Sequence, residues 1–444
     1  MPHTQPSTSA PARRTFLQHT SAALLSGIGL PALANEPRTL ESTPAATPWF
    51  VKNVPALPAP AHGADAPKPV RSAEPLWSPQ QRVTHWARQT MRLVVKYQQN
   101  PLRAARAMAY VQVAMFDAWL HASRLGANAS TAELAAHRAA SLLAEQLYAL
   151  ETPGQFEAQF VALTAHLRMD TAQDALGLHV GKAVGDALLA RSLRDGAGRA
   201  WPVKERPAAF PGMWQPAPPM NGVNPVEAYA PHWLTWLPPD SWRHVPPTAH
   251  RPGSADHAAE TREVLEVKQR LTEHQRQVAH HWHLDAGSVT PAGIWMQMAL
   301  QRLQTNEPNE EAHSGRVMAQ ALPVLAALSV VMLDAFVACW QVKLRDWSER
   351  PITAVRRDLA PDFEPLLVTP GFPSYVSGHA TVSAAAATVL GAFWPEQRAR
   401  LQVLADEAAM SRLWGGIHFR SDNDEGLLLG RAVGAAVVTR LQTA

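Results

Sequence analysis

The stretch GLHVGKAVGDALLAR (177–191) returns near the end of the chain as GLLLGRAVGAAVVTR (426–440), with eight of fifteen positions identical. Glycine recurs every fourth residue in both copies, at 177, 181 and 185 and at 426, 430 and 434, so each trio lies along one helix face. In a membrane such a stripe drives helix pairing. In a soluble chain it implies helices that approach closely inside a bundle. A weaker pair lies upstream, VAMFDAW (113–119) and VVMLDAF (330–336). The two offsets, 249 and 217, differ by 32 residues, so the second half holds extra chain between its matched helices, where the connection from Pro351 to Ser377 lies. The expected fold is all-α: two helical bundles related by internal duplication, with one copy furnished for chemistry. Strand-like alternation is nearly absent.

Working outward, residues 1–34 read as a targeting segment. Arg13-Arg14-Thr15-Phe16-Leu17 resembles the twin-arginine export motif, and a weakly apolar run ends at the small residues Ala32-Leu33-Ala34. This predicts export of the folded protein to a periplasm or beyond, with no integral membrane anchor after cleavage. Residues 35–78 form a Pro/Ala-rich arm, 79–200 an N-terminal helical bundle, 201–250 a Pro/Trp-rich crossover, and 251–444 a C-terminal bundle that holds an oxyanion site. The crossover, WPVKERPAAFPGMWQPAPPMNGVNP followed by HWLTWLPPDSW, has too much proline for helix and too many aromatics for a solvated linker. It reads as ordered chain packed across the bundles, and in its functional version as a rim of the active-site funnel.

The single Cys339 excludes an internal disulfide, and a core of this size needs none. The formal charge of +3 falls to +1 without the two arginines of the targeting segment, a balance that gives no footing for nucleic acid or a membrane surface. No apolar span of about 20 residues stands out beyond the N-terminal segment, which argues against an enzyme embedded in the bilayer. Nothing in the chain opposes a homodimer. The cluster His280-His281-Trp282-His283 does not read as a metal site. Adjacent helical residues do not converge on one ion, and only His281 and Asp285 could share a face. It reads as packing and surface.

Three pieces carry chemistry: KLRDWSERP (343–351), SGH (377–379) and SRLWGGIHFRSD (411–422). Lys343 and Arg350, seven apart, would point from one face of a helix that Pro351 stops, leaving Arg350 free to fork two N–H groups onto an oxyanion. Ser377-Gly378 would open an alanine-rich helix, offering a hydroxyl and uncovered N–H groups to an anion, with the proton carrier His379 in the first turn. Arg412 would close a helix ended by Gly415-Gly416. Asp422, capping the last helix with Asn423, could reach the distal nitrogen of His418 and make it a nucleophile or ligand. Taken singly, each piece has an ordinary reading: a solvated cationic face, an N-cap with a buried histidine, a capping Asp beside a loop histidine.

Together they match the pattern K-x6-R-P … S-G-H … S-R-x5-H-x3-D. That pattern resembles the superfamily joining vanadium-dependent haloperoxidases with type 2 phosphatidic acid phosphatases and bacterial acid phosphatases. Val376 stands where the family usually has proline. The resemblance implies that His418 bonds the vanadium of vanadate, or attacks phosphorus in a phosphatase. Lys343, Arg350 and Arg412, with Ser377 and the Gly378 N–H, would neutralise the oxygens. His379 would be the general acid/base and Asp422 the orienting partner of His418. Phosphate or sulfate could occupy the same cage.

The haloperoxidase branch is favoured by Trp340, three residues before Lys343, and by the loop FPSYVSGH, which puts Phe372 where chloroperoxidases tend to carry Phe; both would line a halide pocket. The stretch 101–118 also looks like bacterial haloperoxidase-related proteins, and the length suits two bundles. The implied activity is oxidation of bromide or chloride by hydrogen peroxide to hypohalous acid, with a small organic acceptor. The alternative is a periplasmic acid phosphatase acting through a phosphohistidine at His418. A non-catalytic oxyanion-binding protein is a third class, disfavoured because binding alone needs no acid/base histidine.

Overall fold

Helix starts are written in the caps. Ser78 forms a reciprocal box with Gln81 at the start of α1 (Pro79–Lys96), and Pro79 takes the first helical position, where its missing N–H costs nothing. Asn100, Asn128 and Asp170 each accept a backbone N–H to open α2 (Pro101–Arg124), α3 (Ala129–Leu147) and α5 (Thr171–Ser192), with α4 (Gln155–Thr164) between the last two. Ser254 caps α6 (Ala255–Gln269), and Thr272 with Gln275 boxes α7 (Glu273–His281). Then follow α8 (Thr290–Arg302), α9 (His313–Asp346), α10 (Pro351–Asp358), α11 (Gly378–Phe393), α12 (Arg398–Trp414) and α13 (Arg420–Thr443). This computed structural model describes residues 47–57, 77–242, 244–304 and 313–443. Among the described residues there are thirteen α-helices and no strand. The export segment 1–34 and most of the arm lie outside the described residues.

The duplication is visible as packing. Helix α5 lies on α3 through Gly177, Gly181 and Gly185, and α13 lies on α11 through Gly426, Gly430 and Gly434. A Cβ at Gly181 would stand 2.6 Å from the Ala135 carbonyl oxygen, and one at Gly430 would come closer still to the Thr381 carbonyl. Backbone meets backbone at these crossings, so only glycine fits.

The weaker repeat has a matching role. Asp117 of α2 is fully buried and accepts the Trp49, Phe50 and Val51 N–H groups at 2.7, 2.9 and 3.0 Å. Asp334 of α9 does the same for Trp236 and Leu237, both at 2.9 Å. Each docked segment is clamped by an arginine of the repeated helix. Arg191 lies 4.1 Å from the Trp236 ring and Arg440 4.7 Å from the Trp49 ring. Burial pushes the Asp117 and Asp334 carboxyls up to about 6 and about 7, against the pull of the N–H groups they accept.

Helix α9 corrects one expectation. Its stretch Gly315–Asp346 is long and apolar enough to cross a membrane, but its most apolar window is wholly buried in protein. Helices α1, α2, α11 and α13 pack most closely around it, and one core cluster draws residues from both halves. Apolar length alone therefore marks the central helix of a bundle core here.

Candidate active site

The end of α9 begins the site. Trp347 takes φ +48 and breaks the helix after Asp346, so Lys343 and Arg350 do not share one helix as the spacing suggested. Arg350 sits in extended backbone (φ −87, ψ 154), and Pro351 opens α10 rather than stopping α9. The same restriction applied in either case, since a residue before proline avoids the helical region. The strand-like link 347–349 is held by the crossover, with Trp214 N–H donating to the Trp347 carbonyl (2.7 Å) and Glu349 N–H to that of Gly212 (2.8 Å). On its other side, the Ser374 and Tyr375 N–H groups donate to the Ser348 carbonyl and hydroxyl at 3.1 and 2.7 Å. The Tyr375–Val376 peptide bond is cis.

Ser377 caps α11, accepting the Ala380 N–H at 3.4 Å, and so places Gly378 and His379 in the first turn as expected. Asp422 does not precede α13 but sits inside its first turn. There its Oδ2 accepts three groups: His418 Nδ1 at 2.8 Å, Ser374 Oγ at 2.5 Å and Phe419 N–H at 3.0 Å. With its Nδ1 proton committed to Asp422, His418 presents a lone pair on Nε2.

That Nε2 faces the cations. Arg350 Nη1 stands 3.1 Å from it and also donates to the Ile417 carbonyl, while Nε donates to Phe372. Lys343 Nζ donates to the Pro373 and Ser374 carbonyls, both at 2.7 Å. Arg412 Nη2 reaches the Ala279 carbonyl at 3.1 Å. All three cations are fully buried; the Asp422 carboxylate acts on Lys343 and Arg350, and that of Asp285 on Arg412. Burial pulls Lys343 down to about 7, Arg350 to about 10 and Arg412 to about 9. His379 and His418 are held well below the usual imidazole range, first by burial and then by these cations. Arg350 Nη2 is a donor buried without a partner, and the His379 Nε2 atom is buried and unbonded as well. A pocket with more positive charge than it can pair, and with an orphaned guanidinium donor, fits a tetrahedral oxyanion such as vanadate, phosphate or sulfate.

The residues singled out for a halide pocket also come together. The Trp340 and Phe372 rings lie 4.9 Å apart, with Lys343 Nζ 5.1 Å and the Arg350 guanidinium carbon 4.8 Å from the Phe372 centroid. Trp340 Nε1 donates to the Val226 carbonyl, so the crossover steadies this aromatic wall.

Some participants escaped the sequence reading. His379 lies beside the Trp282 backbone, which favours its charged form against the pull of burial. His283, read as surface, stands beside His379 and Arg412 and has its Nε2 buried without a partner. The Asp285 carboxylate, 3.8 Å from His283, supports the charge of Arg412. The turn after α7 delivers this group, and no spacing within 280–285 announces where that turn docks. Ser374 was quoted only as part of a loop; its hydroxyl is a second hand on Asp422.

The cage predicts a pH response. Sulfate keeps its charge from pH 5 to 9, so any change in its binding comes from the protein. Lys343, lowered to about 7, must be protonated to attract the anion. Sulfate affinity is therefore expected to be highest below pH 7 and to fall as pH rises through it, by up to about tenfold per pH unit. Titration calorimetry from pH 5.5 to 8.5 checks this, and the fall should flatten in Lys343→Met.

Residues 323–403 and 395–444 match a family described as the VCPO second helical-bundle domain. No curated protein matches. Among solved structures, the chain resembles a bacterial vanadium-dependent iodoperoxidase with a TM-score of 0.66 at 24% identity, covering 83% of this chain and 98% of that one. It also resembles a bacterial vanadium-dependent chloroperoxidase in apo and holo forms, with TM-scores of 0.54 and 0.53 at 13% and 14% identity. Those matches cover 84% and 86% of this chain and 97% and 95% of those.

Proposed function

We propose that this chain is a vanadate-dependent haloperoxidase, a reading supported by the match of residues 323–403 and 395–444 to the VCPO second helical-bundle domain. It oxidises a halide with hydrogen peroxide to hypohalous acid, which leaves or halogenates a small organic acceptor. The observation that carries the reading is the convergence of the buried orphans Arg350 Nη2 and His379 Nε2 with Lys343 and Arg412 around His418 Nε2.

Bound vanadate supplies a Lewis acid that activates peroxide without changing oxidation state. The chain's residues do the rest. His418, its Nδ1 proton held by Asp422, offers Nε2 to the central atom. Lys343, Arg350, Arg412, the Ser377 hydroxyl and the Gly378 N–H would neutralise the oxygens. His379 takes up a proton from peroxide at Nε2 and returns one to the product, a role open to it because burial keeps the ring neutral. Trp340 and Phe372 shield Lys343 from water and give the halide a dry, cation-backed wall. We place the enzyme in a periplasm or outside the cell, on the twin-arginine-like segment.

The same cage supports a second reading, a phosphomonoesterase in which His418 attacks phosphorus and His379 protonates the leaving alcohol. Purified protein loaded with vanadate should be given peroxide with iodide, bromide or chloride, and separately a chromogenic phosphate ester without vanadate. Halide oxidation dependent on vanadate supports the first reading. Ester turnover with no halide oxidation assigns the second.

A further inference from the structure

The glycine contacts fix how the two halves superpose in sequence. Gly177 meets Thr131 and Leu134, while Gly426 meets Ser377 and Ala380; Gly181 meets Ala135 and Arg138, while Gly430 meets Thr381 and Ala384. Every pair along α3 and α11 differs by 246. An indole bond confirms the register: Trp86 Nε1 donates to His137 and Trp295 Nε1 to Ser383, each at 3.0 Å, and 137 and 383 again differ by 246. In this register the counterpart of His379 is Glu133. Along the repeated helices, offset by 249, His418 corresponds to Met169 and Asp422 to Gln173.

Those substitutions remove the nucleophile, but they do not leave an apolar plug. Glu133 is 1% exposed and Arg82 3% exposed, and Arg82 Nε donates to Glu133 Oε1 at 2.7 Å. His137 Nε2 and His166 Nε2 stand 3.6 and 3.8 Å from the same oxygen, and the first is buried with no hydrogen bond of its own. A guanidinium and two imidazoles thus surround one carboxylate oxygen, at the place where the other half surrounds His379 and its oxyanion cage with cations. The Thr131 hydroxyl bonds Met169 and Gln173, the counterparts of His418 and Asp422, and its own counterpart Ser377 donates its N–H to the Asp422 carbonyl.

We infer that the N-terminal bundle retains an oxyanion cage whose ligand is the chain's own Glu133 carboxylate. The duplicated architecture places an anion in each half. One half takes it from solution and the other carries it covalently, which confines binding of external oxyanions to the half with His418. If the side-chain carboxylate is cut away, the cage should accept a free small carboxylate of the formate class, which matches the lost group in charge and size. This inference is independent of the reaction proposed above.

The test compares thermal unfolding of wild type, Glu133→Ala and Glu133→Gln in formate and in chloride at equal ionic strength. Any effect of formate through the C-terminal cage is common to all three and cancels. Glu133→Ala is expected to melt lower by about 5 °C or more, because Arg82 loses a buried carboxylate partner, and formate should restore at least half of that in a saturable way. Glu133→Gln should also melt lower but show no formate recovery, since the amide fills the space. Adding Arg82→Met to Glu133→Ala should abolish the recovery. Equal formate shifts in Glu133→Ala and wild type would overturn the inference. If Glu133→Ala does not accumulate folded, refolding it from denaturant with formate decides the matter: formate-dependent recovery supports the cage, and failure in formate and chloride alike refutes it.

Discussion

His418→Ala is expected to lose vanadate capture and halide oxidation together, with the rate falling on the order of 10⁴-fold or more, as when a residue at the centre of a covalent mechanism is deleted. The size follows from where His418 sits. It is 3% exposed, its Nδ1 is committed to Asp422, and its Nε2 is the lone pair that faces Arg350. Removing the ring leaves the cations in place, so weak electrostatic attraction for sulfate should persist while the bond to the central atom cannot form. The measurement is paired: vanadate affinity by calorimetry and halide oxidation at saturating vanadate. A variant with halide oxidation within tenfold of wild type would remove His418 from the role assigned to it. Ser374 and Asp422 hold this imidazole through one carboxylate oxygen, so the same paired measurement on Asp422→Asn should show a smaller loss in the same direction.

Arg350→Met is expected to cost about 3 kcal/mol of anion stabilisation, a little over a hundredfold, by analogy with deleting one oxyanion donor. Arg350 is unlike a surface arginine. It is fully buried, bonds the Phe372 and Ile417 carbonyls, and keeps Nη2 without a partner. In the anion-free protein it is a desolvated cation beside Lys343 and His418, so its removal relieves repulsion while it costs two backbone bonds. The melting temperature without ligand should therefore change little, and the upward shift produced by sulfate or vanadate should nearly vanish. Arg350→Lys should not restore it, because one ammonium cannot span the positions reached by a planar fork. A full ligand-induced shift in Arg350→Met would show that the guanidinium does not face the anion.

Much of this was legible from residue order. The glycine spacing at 177–185 and 426–434 encodes close helix crossings, because a missing Cβ is a local property that only a close approach exploits. Ser377 reads as a cap because a hydroxyl before an alanine-rich run has few other uses. The spacing of four between His418 and Asp422 puts them one turn apart whether the turn begins at 418 or at 420. Helix boundaries are less legible. Seven residues make two helical turns, which predicts Lys343 and Arg350 on one helix, but Trp347 in left-handed backbone ends α9 between them. Proline at 351 is compatible with stopping one helix or starting the next.

The sequence by itself determined an all-helical, duplicated chain and the chemical types of the groups in its candidate site, because caps, periodicity and short-range spacing are set by neighbouring residues. Only the tertiary structure decided that α9 lies buried in the protein core, that His283 and Asp285 swing in beside Arg412, and that Glu133 fills the matching place in the other half. Each of these depends on contacts between residues far apart in the chain. Burial, charge compensation and docking angle are properties of the packed assembly, and no local stretch of residues specifies them.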